Sequence, residues 1–331
     1  WRLLRHHANH SNKLYINESI ALAGKPPSPL EFLCHRTAAA LPPNFEAWIQ
    51  GVYRHRQQAS RLGGFKSLPV IHFVYAAAND NNFPLQGLIK AGRDQHQEYF
   101  FALTRLLANP VAREFRSLLP WLYSESIERM QKFAQFNWEM LPEKEICRKL
   151  NNLRFTSAKL TRRYALETAT YSLQTLSLRT FWNLLPLNYS LNEFLSYASE
   201  ALLGLEKESF ALVRFPLPGS ENMFQALIFW LQLLEITLIS KFKCWEIYWH
   251  GQGRFHKPAL IFSRSKLSVE QFELLLDPEA KSDNFLDLFQ LPDNYKIQTK
   301  FCALGENIDL ELNKLLALWG KLLILEIFGR N

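Results

Sequence analysis

The segment Met223–Phe242 constrains this chain most. It is very apolar and long enough to cross a bilayer. Gln225, Gln232 and Glu235 interrupt it at i, i+7 and i+10, close to one helical face. Polar residues gathered in this way favour a buried helix of a soluble protein over a membrane span. The composition agrees. The chain has 331 residues and 38.7 kDa, and 48% of it is apolar, enough to bury a sizeable core. Charged residues at 21% and a mean hydropathy of -0.15 exclude a disordered tail and a bundle of membrane helices. The length admits one large domain or two ordinary ones. The 25 Phe and 9 Trp point to large buried or partner-facing surfaces.

The positive charge is unevenly placed. Residues 1–66 hold nine Lys or Arg and three Glu, a balance of +6 out of a net +7. Lys25, Arg54, Arg56 and Arg61 belong to this set and form a candidate contact face for an acidic partner. Ordinary solubilising charge explains them equally well. No nucleic-acid motif interleaves with them, so nucleic acid is not an expected partner. The four cysteines, Cys34, Cys147, Cys244 and Cys302, form no C-x-x-C pair. Neither a zinc ribbon nor a disulfide scaffold is expected, and a reducing compartment follows. The start, Trp1-Arg-Leu-Leu-Arg-His-His, is basic without an apolar core, unlike a signal peptide. A chain that opens on Trp1 is expected to lack part of its natural N-terminus. His6, His7 and His10 offer only one i, i+4 pair and no carboxylate, so no metal is expected there.

Periodicity predicts alternating strands and helices. Strands are expected at Leu14–Ile20, Pro69–Ala76, Phe83–Ile89, the first half of Glu98–Leu107, Phe210–Phe215, Trp245–Trp249, Ala259–Phe262 and Lys296–Cys302. Ala23–Pro29 is expected to break the first strand, with an apolar restart at Phe32 and Leu33. Asn79–Asn82 and Gly251–Gly253 read as turns. Phe45, Trp48, Ile49, Val52 and Tyr53 line one face of a helix, which Arg54 and Arg56 close. From Pro120 a helical face runs through Tyr123, Ile127, Met130, Ala134, Trp138 and Leu141 until Pro142 stops it. Ile146, Leu150 and Leu153 mark the next helix, and residues 154–188 are expected to continue as helix. Leu191–Leu205 and Asp309–Phe328 are further helices, and Ser268-Val-Glu-Gln271 is a capping box opening a helix to Leu276. The class is α/β (α+β) with an antiparallel-rich sheet. The expected division is an arm at 1–13, an α/β domain at 14–118, a helical region at 119–210 and a strand-bearing part at 211–331.

The chain carries no Gly-x-Ser-x-Gly elbow, no phosphate loop and no His-Glu-x-x-His. His72 lies mid-strand. Asp94 and Glu98 are carboxylates at i, i+4 beside Arg93. They constitute an enzyme site only if the fold brings them together with His72. Trp245, Tyr248 and Trp249 form either an aromatic binding wall or core.

Several pieces, taken in order, resemble the TagF (ImpM) family of bacterial type VI secretion proteins. The family motif Gly-Lys-Leu-Pro-Ser/Ala-x-Gly-Asp-Phe is matched by Gly24, Lys25, Pro27, Ser28 and Phe32, with Glu31 in place of Asp and departures at Pro26 and Leu30. Pro43–Gln50 is similar to its proline-led helix with Trp, and Pro69-Val70-Ile71 to its strand beginning Pro-Val-Trp. In its Gly-Val-Leu-x-Pro-Ser-x-Asp-x-x-Gly-Arg-x-Phe-Pro-Leu segment, Gly87, Asp94 and Phe100 agree. Gln97-Glu98 replaces Gly-Arg, which reverses a charge, and Phe101 replaces Pro. Pro120-Trp121, Tyr248-Trp249-His250-Gly251 and Pro258–Leu276 are similar to later segments, so the likeness spans about residues 14–277.

The resemblance implies a cytoplasmic, non-enzymatic regulator without cofactor, metal, nucleic acid or small-molecule substrate. It implies repression of type VI secretion after translation, through the forkhead-associated scaffold protein; a membrane-complex component is the partner of the alternative reading, an assembly subunit. It also implies an α/β sandwich with a longin- or profilin-like sheet. The candidate contact residues are then Lys25, Phe32, Arg54, Arg56, Arg61, Asp94 and Trp249. An assembly subunit docked through 223–242 is the alternative.

Overall fold

The structure, a computed structural model, describes residues 20–27, 33–35, 43–61, 69–76, 84–93, 98–107, 109–136, 138, 141–153, 161–219, 222–238, 245–251, 257–276, 285–293, 295–306 and 308–328. Nine strands among them make one sheet: β1 (Ile20–Lys25), β2 (Leu33–His35), β3 (Ile71–Ala76), β4 (Leu85–Arg93), β5 (Glu98–Leu106), β6 (Leu212–Pro216), β7 (Trp245–His250), β8 (Ala259–Ser263) and β9 (Phe285–Asp287). The order is β2-β1-β5-β4-β3-β7-β8-β6-β9, and every neighbouring pair is antiparallel except β6–β9. The mixed α/β class and the antiparallel sheet agree with the sequence reading. The strands on either side of the helical middle share this one sheet, because β3 pairs with β7, His72 opposite Trp249.

The helices are α1 (Pro43–Arg61), α2 (Pro110–Glu114), α3 (Leu119–Leu122), α4 (Ser124–Ala134), α5 (Glu143–Asn152), α6 (Arg162–Gln174), α7 (Leu178–Leu184), α8 (Leu191–Glu206), α9 (Met223–Thr237), α10 (Val269–Leu276), α11 (Thr299–Cys302) and α12 (Leu312–Phe328). Local chemistry starts several of them. Ser190 and Glu193 close a capping box on α8, at 3.3 and 2.6 Å. Ser268 and Gln271 do the same for α10, at 3.1 and 2.9 Å, as the sequence predicts.

Side-chain alternation divides the core. On one face Phe73, Phe100, Tyr248 and Ile261 meet Phe45, Trp48, Ile49 and Val52 of α1 and Phe272 of α10. On the other face α4 and α5 cover the β1–β5 end, α8 and α9 cover the rest, and α12 packs on α9. Helix α9 is inside the molecule. Its Trp230 packs on Phe215 of the sheet at 4.8 Å and on Trp319 of α12 at 6.1 Å, and its indole N–H donates to the Pro216 carbonyl at 3.2 Å. Glu235 accepts from Ser117 at 2.5 Å, and burial raises its pKa. No helix among the described residues is long and apolar enough to cross a membrane. From Met223 to Leu238 no residue is exposed, and residues 239–242 of the expected segment lie outside the described residues.

Several expected elements differ. The first strand reaches Lys25 and ends at Pro26-Pro27, which lack the N–H a ladder needs, and not at Ala23. Residues 14–19 lie outside the described residues, as do Phe32, the turn at 79–82, Asp94 and the arm histidines. Strand β5 is extended throughout. The long helix from Pro120 is two helices ending at Ala134. Trp138 is buried beyond them, 5.1 Å from Phe101. The continuous helix expected over 154–188 is α6 and α7, separated at residues 175–177, where Ser177 caps α7. The strand expected at Lys296–Cys302 is a correction: residues 295–298 are irregular and α11 follows. Phe301 and Leu304, three apart, are the buried pair, which is helical spacing, while Ile297 is exposed. Strand β9 was not foreseen. Three residues are too few for a period to show.

Candidate functional site

Several segments that carry the family resemblance lie on five adjoining strands, β1, β5, β4, β3 and β7. Lys25 pairs with Phe100, Phe100 with Ala91, Ile71 with Ile89, and His72 with Trp249. Gly24 is essential where β1 meets β5. Its φ is +127°, and an ideal Cβ would stand 2.4 Å from the Phe100 carbonyl oxygen. The Gly-Lys segment and the Phe100 segment are therefore packed backbone to backbone.

The candidate contact residues separate into two groups. Lys25 is half-buried at the tip of β1, and Arg54 is exposed on α1. Arg61 ends α1, with its side chain outside the described part. Arg56 and Trp249 are corrections. Arg56 is buried because it continues the inward row Phe45, Ile49, Val52 at i+4, a spacing visible in the sequence. Trp249 is fully buried on the helix-covered face of β7 and cannot touch a partner in this conformation. Its ring stacks on His72, 5.5 Å away at 28°. Burial, helped by the nearby His250, holds His72 neutral by lowering its pKa to about 4. Of the conceivable catalytic set, His72 and Glu98 leave the sheet on opposite faces, since Phe73 and not His72 shares a face with Gly87, Thr104 and Glu98. The fold does not bring them together.

Three polar clusters escaped sequence analysis. Arg105 and Gln86 face each other across β5 and β4, fully buried. The Arg105 guanidinium donates to Ser126 Oγ and lies 5.0 Å from the Tyr123 ring. Burial lowers the Arg105 pKa to about 10 and pushes the Tyr123 phenol up to about 12. On the α1 side, Glu246 accepts from the Tyr248 hydroxyl at 2.8 Å and from Leu267 N at 3.1 Å. Burial outweighs these bonds and raises its pKa to about 7. At the far edge, Arg214 pairs with Asp287 at 3.0 Å and holds β9 in place. These residues look like ordinary strand or loop positions in sequence. The one available signal is a charged residue inside an apolar strand, as in Leu103-Thr-Arg105. Among the described residues no group of three or more His, Cys, Asp or Glu is placed to hold a metal ion.

These features define a mixed α/β protein with helices on both faces of a mostly antiparallel sheet. No known family profile matches the chain, and none of the curated proteins does. Among solved structures it is similar to PA0076 from Pseudomonas aeruginosa PAO1, with a TM-score of 0.42 and 13% identity over 85% of this chain and 100% of that one.

Proposed function

We propose that this protein is a non-enzymatic regulator of type VI secretion that represses assembly by stoichiometric binding to the forkhead-associated scaffold protein. The carrying observation is the ordered set of motifs resembling the TagF family, from Gly24-Lys25 to Tyr248-Trp249-His250-Gly251. Several of their segments lie on adjoining strands, from β1 to β7. The contact face is basic, with half-buried Lys25 at the tip of β1 and exposed Arg54 on α1. A stoichiometric binder needs a displayed surface and no convergent reactive groups, and exposed charge there steers an acidic partner.

Isothermal titration of the purified chain with the scaffold protein from the same genome, at low and at physiological salt, tests the reading. Saturable binding that weakens with salt is expected. No binding at tens of micromolar by the folded protein would overturn it.

A further inference from the structure

Helix α12 is largely apolar, like α9, with Asn313, Lys314, Lys321 and Glu326 as its polar side chains. It is enclosed on one side only. Leu312, Leu315, Leu316, Trp319 and Leu323 are buried against the rest of the protein. Leu318, Leu325 and Phe328 stand 44%, 55% and 61% exposed along the opposite side. Helix α6 packs beside α12 and exposes Tyr164 and Tyr171, also seven residues apart.

The charges around this patch are mostly paired: Lys314 with Glu311, Lys300 with Glu326, Arg162 with Glu114 and Arg163 with Glu167. Lys321 is the exception. It lies on the exposed side of α12 between Leu318 and Leu325, and no carboxylate among the described residues is within ion-pair distance.

We infer that the outer face of α12, with Leu318, Lys321 and Leu325 along it, docks an amphipathic helix of another protein. That helix carries apolar residues seven apart with a carboxylate between them. Two such helices bury facing apolar rows, and the carboxylate pairs with Lys321 as the site is desolvated. A second copy fits less well, because a two-fold axis through the stripe sets Lys321 against its own mate. An anionic membrane also fits less well. Each lysine contributes about 1 kcal/mol at such a surface, and the patch offers a single unpaired one with Glu311, Glu326 and Glu167 at its margins. This face lies across the sheet from α1, so the inference does not rest on the scaffold-binding reading.

The test uses the full chain and two synthetic helical peptides, each with Leu at i and i+7 in an Ala/Gln background. One has Glu midway between the leucines and the other has Lys. The Glu peptide is expected to bind saturably, about tenfold more tightly than the Lys peptide. Lys321→Glu should invert that preference. Leu325→Asp should abolish binding without moving the unfolding midpoint, since Leu325 is exposed. Four results would each overturn the inference: binding to neither peptide, binding indifferent to the charge exchange, a dimer in sedimentation that Leu325→Asp dissociates, or partition onto phosphatidylglycerol vesicles lost in Leu325→Asp.

Discussion

Gly24 and the Phe100 carbonyl occupy adjoining strands so closely that no side chain fits between them; a Cβ would lie 2.4 Å from the oxygen. Position 24 also has a φ of +127°, which L side chains rarely adopt. Gly24→Ala should therefore destabilise the protein by about 2–4 kcal/mol, from combined backbone strain and steric displacement. Urea denaturation measures it. An unchanged midpoint would mean that β1 and β5 are not paired in this register.

Glu246 should make stability fall as pH rises. Its folded pKa is raised to about 7 from 4.5, so the folded state binds the proton more tightly. The contribution is complete below pH 4.5 and is lost as pH climbs through 7. Glu246→Gln should remove this slope, a difference of about 3 kcal/mol at alkaline pH. Unfolding midpoints of the two proteins across that range should converge at acid pH and separate above it.

His72 acts in the opposite direction. Its folded pKa is depressed to about 4 from 6.5, so stability present above 6.5 is lost as pH falls toward 4. His72→Phe keeps an aromatic ring against Trp249 and has nothing to protonate. It should flatten the acid limb of the stability profile. A variant that unfolds at the same acid midpoint as the parent would contradict a neutral buried His72.

Arg54 and Arg56 should behave differently despite their proximity. Arg54→Glu, on the exposed side of α1, should weaken salt-sensitive binding of the scaffold protein and leave the unfolding midpoint within about 0.5 kcal/mol. Arg56→Glu puts a carboxylate into the buried row and should cost about 3 kcal/mol of stability. Equal effects of both on folding would place Arg54 in the core.

Much of the fold was legible in short windows. The inward row of α1, the strands β3, β7 and β8, the capping box before α10 and the apolar run of α9 are each visible because period and cap are local properties. The failures were local conflicts settled elsewhere. Lys296–Cys302 resembles a strand, but Gln298 N donates to Ser196 Oγ at 2.7 Å and Phe301 is buried, so the chain turns into α11. Trp249 and Arg56 looked like surface candidates because residue type carries more weight than face when no partner element is known.

By itself, the sequence determined the period of most segments, the capping box that opens α10, and a run over α9 whose spaced polar residues favour an interior over a membrane. The tertiary structure alone decided that β3 pairs with β7 across the helical middle, that His72 and Glu98 part to opposite faces, and that α12 stays open on one side while α9 is sealed. Strand pairing and burial depend on all the elements packing at once, and no window along the chain contains that information.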